Sequence, residues 1–168
     1  MPGRTESAVL VPLFLDRAGR VHAVFTKRRE DLSRHPGEIS FPGGRRDDAD
    51  ASLADTALRE AEEEIGLRRE HVELVGALQP TPTFVTAYAI YPFVGIIEPG
   101  HEWELEAAEV AHVLEPSIAD VRAGYARRRL VRHGIPFRTD TYCVDDELIW
   151  GATARIVSDL VERVHPLP

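Results

Sequence analysis

One cysteine, Cys143, and one lysine, Lys27, stand in a chain of 168 residues. A single cysteine excludes an intrachain disulfide and a thiolate zinc cluster. Cys143 lies in the alternating run TYCV (141–144), so a buried strand position is expected rather than a nucleophile. Long apolar runs are also missing. Nothing approaches the roughly 18–20 residues of a membrane span. The opening MPGRTESAVLVPLFL carries an apolar part of only eight residues, broken by Pro12. It lacks the basic start and the cleavage site of a signal peptide, so a cytoplasmic protein is the expectation. Positive charge is in deficit: 20 basic residues face 28 acidic ones, a formal net charge of −8. That balance argues against nucleic-acid and anionic-membrane partners, which would be repelled. The near-exclusive use of arginine is what a GC-rich genome would produce. A hydrophobic fraction of 43% excludes wholesale disorder. The length suits one domain, 1–168.

Residues 8–15 and 21–26 are β-rich and separated by a turn at 16–20. A polar, arginine-bearing stretch (27–38) follows and ends at Phe41-Pro42-Gly43-Gly44, a turn where the backbone departs from ordinary φ or approaches something closely. Segment 53–65 is helical in character, with Ser52 and Asp55 placed as a capping box and Gly66 placed to stop it. Strands are expected at 72–78, 87–97 and 110–114, a short helix after Pro116, and a hairpin of 129–133 with 136–144 turning near Gly134. The chain closes on a helix, 151–164, with an apolar stripe of Ile156, Leu160 and Val164 flanked by Val157 and Val161. Strands with one helix in the middle and one at the end predict a mixed sheet between helices.

Eight carboxylates fall between Asp47 and Glu64. At about 100° per residue, Glu60, Glu63 and Glu64 share one helix face, while Ala54, Leu58, Ala61 and Ile65 gather on another. Like charges so placed repel. A solvated acidic face is the ordinary explanation. Convergence on one face, the presence of Arg59 and the glycine turn upstream favour a ligand set for a hard divalent cation. An EF-hand and a zinc site are both poor fits, since the glycine-centred loop and the histidine pair they require are missing.

From Gly43 the sequence reads GGRRDDADASLADTALREAEEEIGL, which resembles the Nudix box of the Nudix hydrolases. That box is a glycine, five residues, an acid, seven residues, then Arg-Glu-apolar-any-Glu-Glu-any-Gly-apolar. Arg59 to Leu67 match the second half throughout. The first half departs: Asp50 stands where the box has Glu, and eight residues separate it from Arg59. The role of Asp50 is therefore open at this point. Thr26-Lys27-Arg28, Gly37, Phe41 to Gly44, Tyr91 to Gly95 and Ile149 to Arg155 are similar to further segments of the coenzyme A pyrophosphatase branch. That branch commonly shares the inserted residue and the Asp. Arg29 and Ser33 differ from its preferences, and Arg34 stands one place from the arginine it uses.

The resemblance implies the Nudix fold, an α/β/α sandwich with a central mixed β-sheet, and a Mg²⁺- or Mn²⁺-dependent pyrophosphohydrolase. Glu60, Glu63 and Glu64, with the carbonyl of Gly43, would be the metal ligands. Arg59 would organise the carboxylates. Glu63 or Glu64 would be the general base, with Glu109 a weaker candidate. Arg28, Arg29 and Arg34 before the turn, and Gly44 in it, would meet phosphate. His35 has the same standing. The stretch QPTPTFVTAY (79–88) could shape a base or pantetheine pocket, although Phe84 and Tyr88 are more often core than ligand contacts. Coenzyme A or its thioesters lead as substrate. ADP-ribose, a dinucleotide or an oxidised nucleoside triphosphate is the alternative enzyme reading, and a non-catalytic nucleotide-sensing module the alternative of another class. A homodimer is expected by analogy with the superfamily alone.

Overall fold

The computed structural model describes residues 5–83 and 87–164. In chain order the elements are β1 (Thr5–Leu15), β2 (Val21–Ala23), β3 (Phe25–Arg28), β4 (Ile39–Ser40), β5 (Gly43–Arg45), α1 (Leu53–Ile65), a 3-10 turn (Arg69–His71), β6 (Glu73–Ala77), β7 (Thr81–Pro82), β8 (Tyr88–Ile96), β9 (Val110–Leu114), α2 (Ile118–Ala123), β10 (Tyr125–Arg132), β11 (Ile135–Val144), β12 (Glu147–Ile149) and α3 (Gly151–Val164).

The layering follows from β1, which is apolar on both faces. Side chains alternate across a strand. Ala8, Leu10 and Phe14 pack with Ala57, Leu58, Ala61 and Ile65 of α1. Val11 and Leu13 pack in a second core that holds Ile156, Val157 and Leu160 of α3. A strand buried on both sides belongs inside a sheet covered on both sides. The central sheet runs β2-β1-β8-β6, with β5 on β1 and β7 on β8. β1 and β8 are parallel, from Thr5↔Tyr88 to Leu13↔Ile96, and the other pairs in this sheet are antiparallel. The expected mixed sheet between helices is therefore present. Two small sheets, β4-β3-β9 and β10-β11-β12, accompany it. Among the described residues no helix is long and apolar enough to cross a membrane.

Two expectations need correcting. Run 21–26 is not one strand: β2 joins the central sheet and β3 joins β4 and β9. Ala23, Val24 and Phe25 are all buried, and Val24 sits at the switch with its amide donating to Pro12 O at 3.1 Å. The late hairpin starts earlier than expected, at Tyr125, and turns on His133 and Gly134, both with positive φ. A further hairpin turns on Asp145 and Asp146, again both at positive φ, and delivers β12. Two positive-φ residues give the turn whose twist suits adjoining strands. Cys143 occupies a strand position on β11 as expected, half-buried rather than buried.

Candidate active site

Helix α1 starts and stops where local chemistry dictates. Ser52 is extended and its hydroxyl accepts from the Asp55 amide at 3.2 Å. Gly66 adopts φ 70°, which lets its own amide and that of Leu67 reach the carbonyls of Glu62 and Ala61. The helix lies against β1 and β5, and β5 is where both glycines of the turn prove necessary. A Cβ at Gly43 would stand 2.3 Å from the carbonyl oxygen of Ala8, and one at Gly44 would stand 2.6 Å from the Glu60 carboxyl carbon. The strand thus lies directly over the acidic face. Its Gly43 amide donates to Glu64 Oε2 at 3.2 Å.

Arg59 organises this face. Its Nε and Nη2 grip both oxygens of Asp50 at 2.9 and 3.0 Å. Nη1 reaches Glu60 Oε1 at 3.1 Å and both oxygens of Glu63 at 3.3 Å, while Nη2 also donates to Arg45 O at 3.1 Å. Asp50 is buried and takes two further donors on Oδ2, the Asp47 amide and the Thr56 hydroxyl, each at 2.8 Å. Arg59, the largest influence, holds the Asp50 carboxyl well below the usual carboxylate range, against the opposing effect of burial. Asp50 in turn raises the already high pKa of Arg59. The segment ahead of the helix turns at 47–50, where the Asp50 amide donates to Asp47 O at 2.9 Å. Asp50 therefore anchors Arg59.

The three glutamates of the face differ in depth. Glu64 is buried, Glu60 half-buried, and Glu63 is 57% exposed. Burial, then repulsion from Glu60, pushes the Glu64 carboxyl up to about 8, opposed by the Gly43 amide. Burial also raises Glu60, with the Arg59 charge opposing and the Glu63 charge adding. Glu109 is exposed on the loop before β9, and its charge raises both carboxyls. Arg28 lowers Glu64. Glu109 and Arg28, put forward from the sequence as a general-base candidate and a phosphate contact, thus both act electrostatically on the face.

Among the described residues no three His, Cys, Asp or Glu side chains form a ready-made metal-binding group, and Arg59 engages both Glu60 and Glu63. The donor set nevertheless fits a hard divalent ion. Glu60 and Glu64 are oxygen donors whose mutual repulsion is only partly offset by Arg59, Arg28 and the Gly43 amide, and Mg²⁺ is commonly held by one or two carboxylates plus water and substrate phosphate. An ion there would relieve the repulsion that now favours protonation.

Beside this face opens a cleft of about 940 Å³. Arg28, Arg34, His35 and Gly44 line it, as the sequence suggested for phosphate contacts. Arg29 does not. It is turned away, donating from Nε to Asp31 at 2.9 Å and from Nη1 to Ala107 O at 2.9 Å. Tyr88, expected in the core, is half-buried on the cleft wall with the Arg45 guanidinium 5.8 Å from its ring centre. Phe84 lies outside the described residues. The opposite wall went unrecognised in the sequence: Arg132, Phe137 and Arg138 from the late hairpin, with Trp150 and Arg155 at the start of α3. The available signal was the arginine density of 127–138 combined with Phe137 and Trp150. A second hollow of about 500 Å³, lined by Glu70, His71, Glu73, Glu98 and His101 among others, shares no residue with this face.

The NUDIX domain family matches residues 4–132. Relatives named Uncharacterized Nudix hydrolase NudL include those of Citrobacter koseri, 36% identical over 167 residues (98% of this chain, 85% of that one), and Cronobacter sakazakii, 37% identical over 165 residues (97% and 84%). Among solved structures, the Nudix hydrolase RenU of M. smegmatis superposes with a TM-score of 0.71 at 15% identity, covering 98% of this chain and 88% of that one. The NUDIX domain of Shewanella oneidensis NrtR, solved with ADP ribose, gives 0.66 at 14% identity, covering 98% and 90%. The structures speak to the fold, and the sequence relatives carry the kinship. With the family match spanning β1 to β10 and the box on α1 inside it, this chain belongs to the Nudix hydrolases.

Proposed function

We propose that residues 1–168 act as one pyrophosphohydrolase domain on coenzyme A or its thioesters, releasing adenosine 3′,5′-bisphosphate and 4′-phosphopantetheine. The observation that carries this reading is the acidic face on α1, organised by Arg59 and Asp50, beside an arginine-lined cleft large enough for an extended nucleotide. Nudix hydrolases generally use divalent ions, and Mg²⁺ or Mn²⁺ on Glu60, Glu63, Glu64 and the Gly43 carbonyl would neutralise phosphate charge and lower the pKa of an attacking water. The chain's own residues divide the remaining work. Arg28 and Arg34 orient the diphosphate. Arg59 keeps Glu60 and Glu63 facing the cleft side of the helix, and Gly44 keeps the approach to Glu60 clear of side chain. Glu63, Glu64 and Glu109 are the candidates to accept the proton of water.

A substrate panel with product identification tests this. Coenzyme A is expected to be cleaved ahead of ADP-ribose, dinucleotides and nucleoside triphosphates when Mg²⁺ or Mn²⁺ is supplied, and preference for another substrate overturns the assignment. Glu63→Gln and Glu64→Gln are each expected to reduce kcat by at least a hundredfold with the fold retained, and Glu109→Gln by less.

A further inference from the structure

The start of helix α3 presents unanswered donors to the cleft. The helix is 14 residues long, and its first three residues, Gly151, Ala152 and Thr153, line the cleft. The first amides of a helix have no partner within it and carry the positive end of its dipole. Among the described residues nothing accepts from the amides of Gly151, Ala152 or Thr153, and the first turn carries no acid. Thr153 supplies a second, independent observation. It is 8% exposed, and its hydroxyl has no hydrogen-bond partner among the described residues. A threonine inside a helix can turn its hydroxyl onto the carbonyl four residues back, and an unmet polar group in a buried residue is rare. The atom is not sealed from solvent: among the described residues the sealed, unpartnered side-chain atoms are His101 Nε2 and Trp103 Nε1. The Thr153 hydroxyl therefore opens on the cleft, in the same turn as the three amides.

This turn stands well away from the acidic face. Arg45 of β5, Ser7 of β1, Ile90 of β8 and Thr81 of β7 form one row across the central sheet, three interstrand steps or about 14 Å from end to end. The glycine turn and Glu60 lie at the β5 end. Helix α3 is fastened at the β7 end, where Arg155 Nη2 donates to Pro82 O at 2.9 Å. The two phosphorus atoms of one diphosphate share a bridging oxygen and cannot serve both ends. We propose that the first turn of α3, through the amides of Gly151 to Thr153 and the Thr153 hydroxyl, is a second phosphate subsite, which holds a phosphomonoester of the substrate that is not hydrolysed. The proposal rests on the substrate reading above, in which coenzyme A carries such a group on its ribose, and it names the residues that recognise it. A hydrogen bond to a charged group is worth about ten- to hundredfold in affinity.

Calorimetric titration of the full chain with adenosine 3′,5′-bisphosphate and with 5′-AMP, which lacks only the phosphomonoester in question, tests the subsite without turnover. The bisphosphate is expected to bind at least about tenfold tighter to the unaltered protein. Thr153→Val keeps the side-chain shape and removes the hydroxyl. It should weaken the bisphosphate at least about tenfold and 5′-AMP less than about twofold, while Thr153→Ser stays within about threefold of the unaltered protein. Because the hydroxyl has no partner among the described residues, the Tm of Thr153→Val should be unchanged or higher, which a merely structural hydroxyl would not allow. Ala152→Asp sets a carboxylate among the same amides and should abolish the advantage of the bisphosphate with no loss in Tm. An advantage below about threefold in the unaltered protein, or one that survives Thr153→Val or Ala152→Asp, overturns the subsite. Equal losses for the two nucleotides overturn its assignment to the remote phosphate. If coenzyme A is not a substrate yet the bisphosphate behaves as described, the substrate reading falls and the subsite stands. If coenzyme A is cleaved with a kcat/KM indifferent to both substitutions, the reverse holds.

Discussion

Replacing Asp50 by asparagine preserves shape and removes charge, and the four donors around the carboxylate set the magnitude. Oδ2 receives the Asp47 amide, the Thr56 hydroxyl and Arg59 Nη2, while Oδ1 receives Arg59 Nε alone. An asparagine must therefore turn its amide oxygen to the three donors and its NH₂ group to Arg59 Nε, donor against donor. One bond to a charged group is lost, about 1.5–3 kcal/mol, and a second donor goes unmet. Because the Arg59 side chain is 29% exposed, water replaces part of the loss, leaving about 2 kcal/mol. For a chain of this size that lowers Tm by about 4–8 °C. Asp50→Ala removes both acceptor oxygens, and with them all four hydrogen bonds, and should cost about 3–4 kcal/mol. The acid limb provides an independent check. Arg59 depresses the folded pKa of Asp50, so the stabilisation is fully present above the unfolded value of about 3.9 and is lost as pH falls through the folded value below it. Urea unfolding at pH 7, 5 and 3.5 should show the unaltered protein losing stability below about pH 4 and converging on Asp50→Asn. A difference under about 0.5 kcal/mol at pH 7, or curves that stay parallel on acidification, would refute this account of the anchor.

The two glycines of β5 should respond differently to alanine. At Gly44 the added methyl meets the movable end of Glu60, so kcat is expected to fall at least tenfold with little change in Tm. At Gly43 it meets the backbone of Ala8 and Val9, so a loss of about 3 kcal/mol or more in urea unfolding is expected. For Glu64, burial raises the folded pKa to about 8, which reverses the sign seen at Asp50. The folded state holds the extra proton, so in the presence of chelator its stability declines as pH rises from about 4.5 through 8. Glu64→Gln should flatten that decline, gaining in Tm over the unaltered protein at pH 9 and not at pH 5; a gain equal at both values would refute the assignment.

Much of α1 was legible because its determinants are local. Ser52, Asp55 and Gly66 act within one turn of the helix ends, and the angular grouping of Glu60, Glu63 and Glu64 follows from helical geometry. The different depths of those glutamates were not legible, since they depend on β5 crossing above them, and β5 is a three-residue strand too short to show a period. The role of Asp50 is not legible because box spacing counts residues, whereas it is the turn at 47–50 that brings the carboxylate to Arg59. Arg29 was included among phosphate contacts on its position beside Arg28. Arg29 lies one residue past the end of β3, where Asp31 and the Ala107 carbonyl hold its guanidinium away from the cleft. The break at Val24 was hidden because three consecutive buried residues carry no alternation. The hairpin wall is a tertiary juxtaposition, joining β10 and β11 to the residue that opens α3, and no local rule connects them.

The parallel pairing of β1 with β8 has a consequence for synthesis. These strands lie about 80 residues apart in the chain, and at about 5–20 residues per second a ribosome needs about 4–16 s to make the second after the first. Throughout that interval β1 carries two apolar faces with no parallel neighbour, and contacts at such separation form slowly. Helix α1 is complete long before then, but the sheet beneath it is not. The cleft should therefore be completed late, and a nascent chain halted before Tyr88 should display the box as a helix without the walls that Tyr88, the late hairpin and the start of α3 supply.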